Sequence, residues 1–157
     1  MKRSLPAFIL GFFILALDQA SKCLVLDQLE FGRPVEIIPG VFSLTLVYNT
    51  GAAWGMFRDH GFWLTILAVG ALGFLFLARR HFTHAGWMPG IALGLLLGGI
   101  TGNLVDRMIY GHVVDFLSFY LGNFQWPAFN VADSAICTGV GLYLLDSMKR
   151  EDSPASS

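Results

Sequence analysis

Four long apolar runs organise this chain, and each is closed by polar or charged residues. The first follows Lys2 and Arg3 and continues from Leu5 to Leu26, roughly 22 residues, enough for the ~20 that a spanning helix needs. Its beginning has the form of a secretory signal peptide, and Ala20-Ser21-Lys22-Cys23 faintly resembles a lipoprotein cleavage box. A lysine directly before the cysteine spoils that match, so the run reads as an uncleaved span. The second run, 61–78, is uncharged and ends at Arg79-Arg80-His81. A third covers about 87–107, and a fourth about 128–145, ahead of Asp146 and Lys149-Arg150. The serine-rich tail, 151–157, is expected to be disordered.

Between the first two runs, over about 30–58, the period changes. Phe42, Leu44, Leu46 and Tyr48 alternate with smaller residues after the Pro39-Gly40 turn, as in a strand with one buried face. This predicts a small β element on the membrane surface, with Trp54 and Phe57 placed to enter the headgroup layer. The segment Met108–Pro127 is expected to be a loop.

Composition agrees with a membrane-embedded chain. Of its 157 residues 55% are hydrophobic and 13% charged, against roughly a quarter charged in soluble domains. The expected fold is a membrane all-α bundle of four transmembrane helices with a small extracytoplasmic β element, in one domain over 1–150. A net charge of −1 without a basic stripe gives no sign of a nucleic-acid partner. Cys23 and Cys137 lie in apolar runs without C-x-x-C spacing, and read as small buried hydrophobes.

Four spans put both termini and the Arg79–Gly86 connection on one side. That side carries Lys2, Arg3, Arg79, Arg80, Lys149 and Arg150, six of the ten basic residues, and is therefore cytoplasmic. Asp18, Asn49, Asp106, Asp115 and Asp133 then gather at the opposite face, although they are scattered in sequence.

Acids at the ends of apolar spans are costly and call for partners. Asp18 and Lys22 stand at i and i+4, the favourable order for a helical pair. Gly94, Gly98 and Gly102, with Gly99 beside them, form a small-residue face that suits close helix packing. Asp106 and Arg107 are adjacent, so each must reach a different partner. Asn130 and Asp133 suit the start of the fourth helix as cap and first-turn acid. Asp115 alone reads as a solvated interfacial carboxylate. Brought side by side, Asp115 and Asp133 cannot both ionise cheaply, and they would share one proton as the two acids of an aspartic protease do. No H-E-x-x-H or G-x-S-x-G occurs, and His60, His81, His84 and His112 do not cluster with a nucleophile. A carboxylate-only metal site remains a minor alternative. A proton-coupled transporter is a second, weakened because spans two and four carry no ionisable residue through their middles.

Five fragments in order, D-Q-A-S-K at 18–22, N-T-G-A-A-W-G at 49–55, G-G-I-T-G-N-L-V-D-R at 98–107, V-V-D-F at 113–116 and F-N-V-A-D-S at 129–134, make the chain resemble bacterial lipoprotein signal peptidase, signal peptidase II. The departures are Trp54, where phenylalanine is more usual, and Thr101 at a variable position. The resemblance implies an aspartic endopeptidase with Asp115 and Asp133 as its dyad. It implies that Asp18, Lys22, Asn49, Gly51, Asn103, Arg107 and Asn130 support the site or contact substrate. It also implies cleavage of diacylglyceryl-modified prolipoproteins just before the lipidated cysteine, by a monomer in contact with membrane lipid, without metal or cofactor. The enzyme would sit in the bacterial inner membrane with its active site facing the periplasm.

Overall fold

The computed structural model describes residues 4–51, 56, 60–122 and 124–151. Four helices, α1 (Leu5–Gln28), α2 (Gly61–Ala85), α3 (Trp87–Tyr110) and α4 (Val131–Glu151), carry a four-stranded antiparallel sheet at one end. Its strands are β1 (Val35–Ile38), β2 (Phe42–Asn49), β3 (Val113–Leu121) and β4 (Phe124–Gln125), in that spatial order.

By length and composition α1, α2 and α3 are apolar enough to cross a membrane, which makes this a multi-pass membrane protein. The α4 helix is less apolar, carrying Asp133 in its first turn and Lys149 and Arg150 in its last. Pro6 in the first turn of α1 and Pro89 in that of α3 sit where no helical N–H is lost. Gly111 ends α3 with φ 75°, donating its N–H to Arg107 O, the left-handed stop that glycine accepts without a Cβ penalty.

Several boundaries differ from those expected. The α2 helix runs on through Arg79-Arg80-His81 to Ala85, so the expected cytoplasmic loop contracts to Gly86 alone. Arg79 supports the continuation by folding back over the Phe76 ring, 4.2 Å from its centroid. Likewise α4 begins at Val131 and continues to Glu151, because Asp146 and Arg150 form an i,i+4 pair that favours helix. Trp54, Phe57, Lys2, Arg3 and the tail from Asp152 lie outside the described residues.

The larger correction concerns 108–127, expected to be a loop. It extends α3 to Tyr110 and then supplies β3, whose long pairing with β2 lays Asn49 opposite Val113 and Val47 opposite Asp115. The burial of β2 is also not the simple alternation expected. Ser43, Thr45 and Leu46 are buried, Phe42 and Leu44 are half-buried and Tyr48 is exposed. A register shift between Leu44 and Val47 changes the parity. It turns Leu46 onto Val25, Val114 and Phe116, while the Ser43 and Thr45 hydroxyls bond each other beneath the sheet.

The α3 helix is central. Ideal Cβ atoms built on Gly94 and Gly98 would stand 2.8 Å from Ala7 O and 2.5 Å from Gly11 O on α1, and one on Gly99 would stand 2.5 Å from Ala132 O on α4. The glycine face therefore lets α3 touch two neighbours backbone to backbone. The outer surface is apolar, with Phe12, Phe13, Phe62, Trp63 and Leu77 exposed, as lipid-facing residues are; Cys23 and Cys137, expected to be buried, are exposed as well.

Candidate active site

The scattered polar residues meet where α1, α3 and α4 abut the sheet. Lys22 and Asp18, one turn apart on α1, are buried at 2% and 0% exposure. The Lys22 ammonium bonds Asp18 Oδ2 at 2.8 Å, Asp106 Oδ2 at 2.8 Å and Asn103 Oδ1 at 3.1 Å. A lysine can only donate, so Asn103 must present its oxygen to it. Its Nδ2–H therefore turns to Asp133 Oδ1, at 2.7 Å.

Asn130 is fixed in the same way. Its Oδ1 accepts the Asp133 N–H at 2.9 Å, and its own N–H donates to Asp133 Oδ2 at 3.3 Å, a reciprocal cap at the start of α4. The Nδ2 then faces away from the helix and donates to Asp115 Oδ1 at 2.7 Å. Asn49, on β2, donates to Asp115 Oδ2 at 2.9 Å and accepts the Gly51 N–H at 2.9 Å, closing a tight turn. Arg107 reaches this turn from α3, donating to Gly51 O at 3.1 Å and to Asn103 O at 3.3 Å.

Both oxygens of Asp115 and both of Asp133 thus accept N–H groups. The two residues line one cleft of about 830 Å³, together with Asn49, Gly51, Asn103 and Arg107, and with apolar Val47, Phe129 and Ile136. Asp115 is 1% exposed. Burial, and then the neighbouring Asp133 charge, push its carboxyl from the ordinary 3.8 up to about 7, against the lowering effect of the Asn49 hydrogen bond, the Lys22 charge and the Asn130 hydrogen bond. A buried carboxyl of this kind can hold a proton near neutrality and exchange it with a reacting group.

Every residue expected at the site is in this assembly. Asp106 and Arg107 diverge as their adjacency requires, Asp106 to Lys22 and Arg107 to the Asn49–Gly51 turn. Asp18, Lys22 and Asp106 lie behind the cleft and do not line it. Gln19 was not foreseen. Its Nε2 bonds Asp106 Oδ1 at 2.9 Å and Asp18 Oδ2 at 3.2 Å, bridging two carboxylates of like charge. The only hint was its place between Asp18 and Lys22.

The chain is similar over most of its length to known proteins. A lipoprotein signal peptidase from Neisseria gonorrhoeae is 43% identical over 153 residues, 93% of this chain and 92% of its own. One from Burkholderia thailandensis is 41% identical over 146 residues, 90% and 86% of the two chains. A bacterial membrane enzyme solved by the in meso method at 2.3 Å superposes with a TM-score of 0.90 at 27% identity, covering 97% of this chain and 93% of that one. A second such enzyme, at 1.9 Å, gives 0.78 at 28% identity over 94% of both. The family described as Signal peptidase (SPase) II matches residues 10–149. The chain belongs to the signal peptidase II family.

Proposed function

We propose that this enzyme is an aspartic endopeptidase that removes the signal peptide from diacylglyceryl-modified prolipoproteins, cutting just before the lipidated cysteine. The observation that carries the reading is the joining of Asp115 and Asp133 through Asn130 in one cleft at the end of the helices. One carboxylate takes a proton from water as it attacks the scissile carbonyl, and the other gives its proton to the carbonyl oxygen. The proton taken from water then passes to the amide nitrogen, the C–N bond breaks, and the carbonyl re-forms as its hydroxyl returns a proton to the second acid. Asn49, Asn103 and Asn130 hold the pair, and Arg107 holds the Asn49–Gly51 turn beside it.

In this reading α4 is the fourth span, although shorter in apolar length than the others, and residues 1–150 work as a single monomeric domain. Both termini are cytoplasmic, since the basic residues gather at that end, and the cleft opens to the periplasmic face of the inner membrane. Substrate acyl chains then remain in lipid while the peptide bond enters the cleft at the interface. The apolar Ile136, which lines the cleft from α4, is consistent with a site open toward lipid.

The test is cleavage of a diacylglyceryl-modified precursor beside its unlipidated form, with Asp115→Asn and Asp133→Asn as variants. Cleavage of the lipidated form alone, lost in both variants and unaffected by chelator, is expected. Turnover at the wild-type rate by either variant removes the dyad. Loss of wild-type activity to a chelator transfers the chemistry to a metal.

A further inference from the structure

Behind the cleft lies a charge cluster that touches no substrate space, yet its contacts end next to both acids. An ammonium has three protons and no acceptor, and those of Lys22 go to Asp18, Asp106 and Asn103. Asp18 in turn uses Oδ1 to accept the main-chain N–H of Ala132, at 2.9 Å. Asp106 uses Oδ2 to accept the main-chain N–H of Val114, at 3.0 Å. Ala132 immediately precedes Asp133, and Val114 immediately precedes Asp115. The third arm, through Asn103, ends on the Asp133 side chain itself. Glycine is needed for the first arm, because a Cβ on Gly102 would stand 2.5 Å from Asp18 Oδ2.

We propose that Lys22 is a positioning residue, the hub that sets the spacing of Asp115 and Asp133 by gripping the peptide unit ahead of each. The proposal rests on the dyad reading above. Stability alone is a poor account of the cluster. A buried ion triad is commonly matched or bettered by well-packed apolar side chains, since desolvation offsets most of the attraction. What packing cannot supply is three directed contacts from one point to β3, to α4 and to Asn103. Arginine, a planar fork, does not reproduce that geometry.

Spacing has a signature that folding lacks. Two carboxylates that share a proton titrate as a coupled pair, and the pH limbs of kcat lie apart by an amount set by their interaction. Among the described residues, the charged groups around the pair are Asp18 and Lys22 from α1 and Asp106 and Arg107 from α3; β2 brings the neutral Asn49 and the phenol of Tyr48 to the cleft. Removing one of these charges shifts both limbs the same way. Widening the pair brings the limbs together.

The experiment measures kcat, KM and the pH profile of kcat on the lipidated precursor, per folded molecule, for Lys22→Met, Asp106→Ala and Asp106→Asn. Asp115→Asn and Asp133→Asn are run beside them. Lys22→Met and Asp106→Ala are expected to lose about 100-fold in kcat, the scale of a 1 Å misplacement, with KM little changed and the limbs drawn closer. Asp106→Asn keeps an oxygen for both Lys22 and Val114, gives up the Gln19 contact at Oδ1, and is expected to recover most of the rate. If Lys22→Met does not fold, the Asp106 pair decides. Wild-type kcat and limb spacing in the folded Lys22→Met, or in Asp106→Ala, overturns the hub. Activity in Asp115→Asn or Asp133→Asn instead overturns the dyad beneath it, so the two failures are distinct.

Discussion

The side-chain amide of Asn130 donates to Asp115 Oδ1 at 2.7 Å from a helix start that it also caps. Its Nδ2 also donates to Asn103 Oδ1 at 3.1 Å and to Val114 O at 3.2 Å, in a fully buried position. Asn130→Asp keeps an oxygen for the Asp133 N–H but sets a second oxygen against Asp115, Asn103 and Val114. We expect its kcat to fall on the order of 100-fold and its thermal midpoint to fall with it, because buried acceptors lose their donor. Asn130→Ala loses the cap as well, costing about 1 kcal/mol of stability in addition. Thermal melting in detergent beside precursor cleavage checks both. A fully active Asn130→Asp would mean that the link to Asp115 is dispensable.

On the proposed reading, Asp115 gives the reaction and the fold a common dependence on pH. Its carboxyl is raised to about 7 in the native protein, chiefly by burial, from an ordinary 3.8. The native state therefore binds this proton more tightly than the unfolded state. Its stabilising contribution is full below about 3.8 and is lost as pH rises through about 7. The thermal midpoint is expected to fall between pH 5 and 8 more steeply in wild type than in Asp115→Asn, which has no proton to release there. The rate is expected to decline over the same upper interval, as the proton that the carbonyl oxygen needs leaves the pair. Parallel melting curves of the two proteins across that range would contradict this.

Much of the site was legible in the residues because its chemistry is expensive in lipid. Asp18, Lys22, Asp106 and Arg107 stand out against apolar helices, and an isolated charge there demands a partner. The capping pattern of Asn130 and Asp133 is local and so was readable without tertiary structure. The strand carrying Asp115 was less so. Val113–Leu121 is a nearly continuous apolar run that pairs with residues about 70 positions earlier, and no local period announces such a pairing. The burial of Ser43 and Thr45 was hidden by the register shift near Leu46, which depends on how β2 meets β3. Gln19 was invisible for another reason: a glutamine beside an aspartate carries no signal until α3 brings Asp106 to it.

Gly102 belongs to the packing face of α3 and also lies against the Asp18 carboxylate. A methyl group there would stand 2.5 Å from Asp18 Oδ2 and 3.4 Å from the Ala132 Cβ. On Gly98 the atoms nearest the same methyl are Gly11 O at 2.5 Å and Ile14 Cβ at 2.7 Å, both on α1. Gly98→Ala is therefore expected to destabilise the α1–α3 contact by roughly 1–3 kcal/mol, the range for overpacking, with kcat per folded molecule retained. Gly102→Ala is expected to lower kcat as well, because Asp18 must leave the Ala132 N–H. Equal kcat in the two variants would show that the Asp18 contact does not matter to the reaction.

Arg107 fastens the Asn49–Gly51 side of the cleft. Its guanidinium donates to Gly51 O at 3.1 Å and Asn103 O at 3.3 Å through different nitrogens, and Gly51 is tied back to Asn49. The turn that holds Asn49 against Asp115 thus depends on a fork spanning two carbonyls. Lysine brings the same charge on a single nitrogen and cannot keep both contacts in this geometry. Arg107→Lys should therefore retain the electrostatic setting of the two acids while loosening the Asn49–Gly51 turn. We expect KM for the lipidated precursor to rise about tenfold, one lost hydrogen bond to a charged group at ~1.4 kcal/mol, with kcat falling by less. The limbs of the pH profile should stay in place, because the charge is kept. Steady-state kinetics on the precursor decides it: a large fall in kcat with unchanged KM would put Arg107 in the chemistry itself and not in the turn that lies beside it.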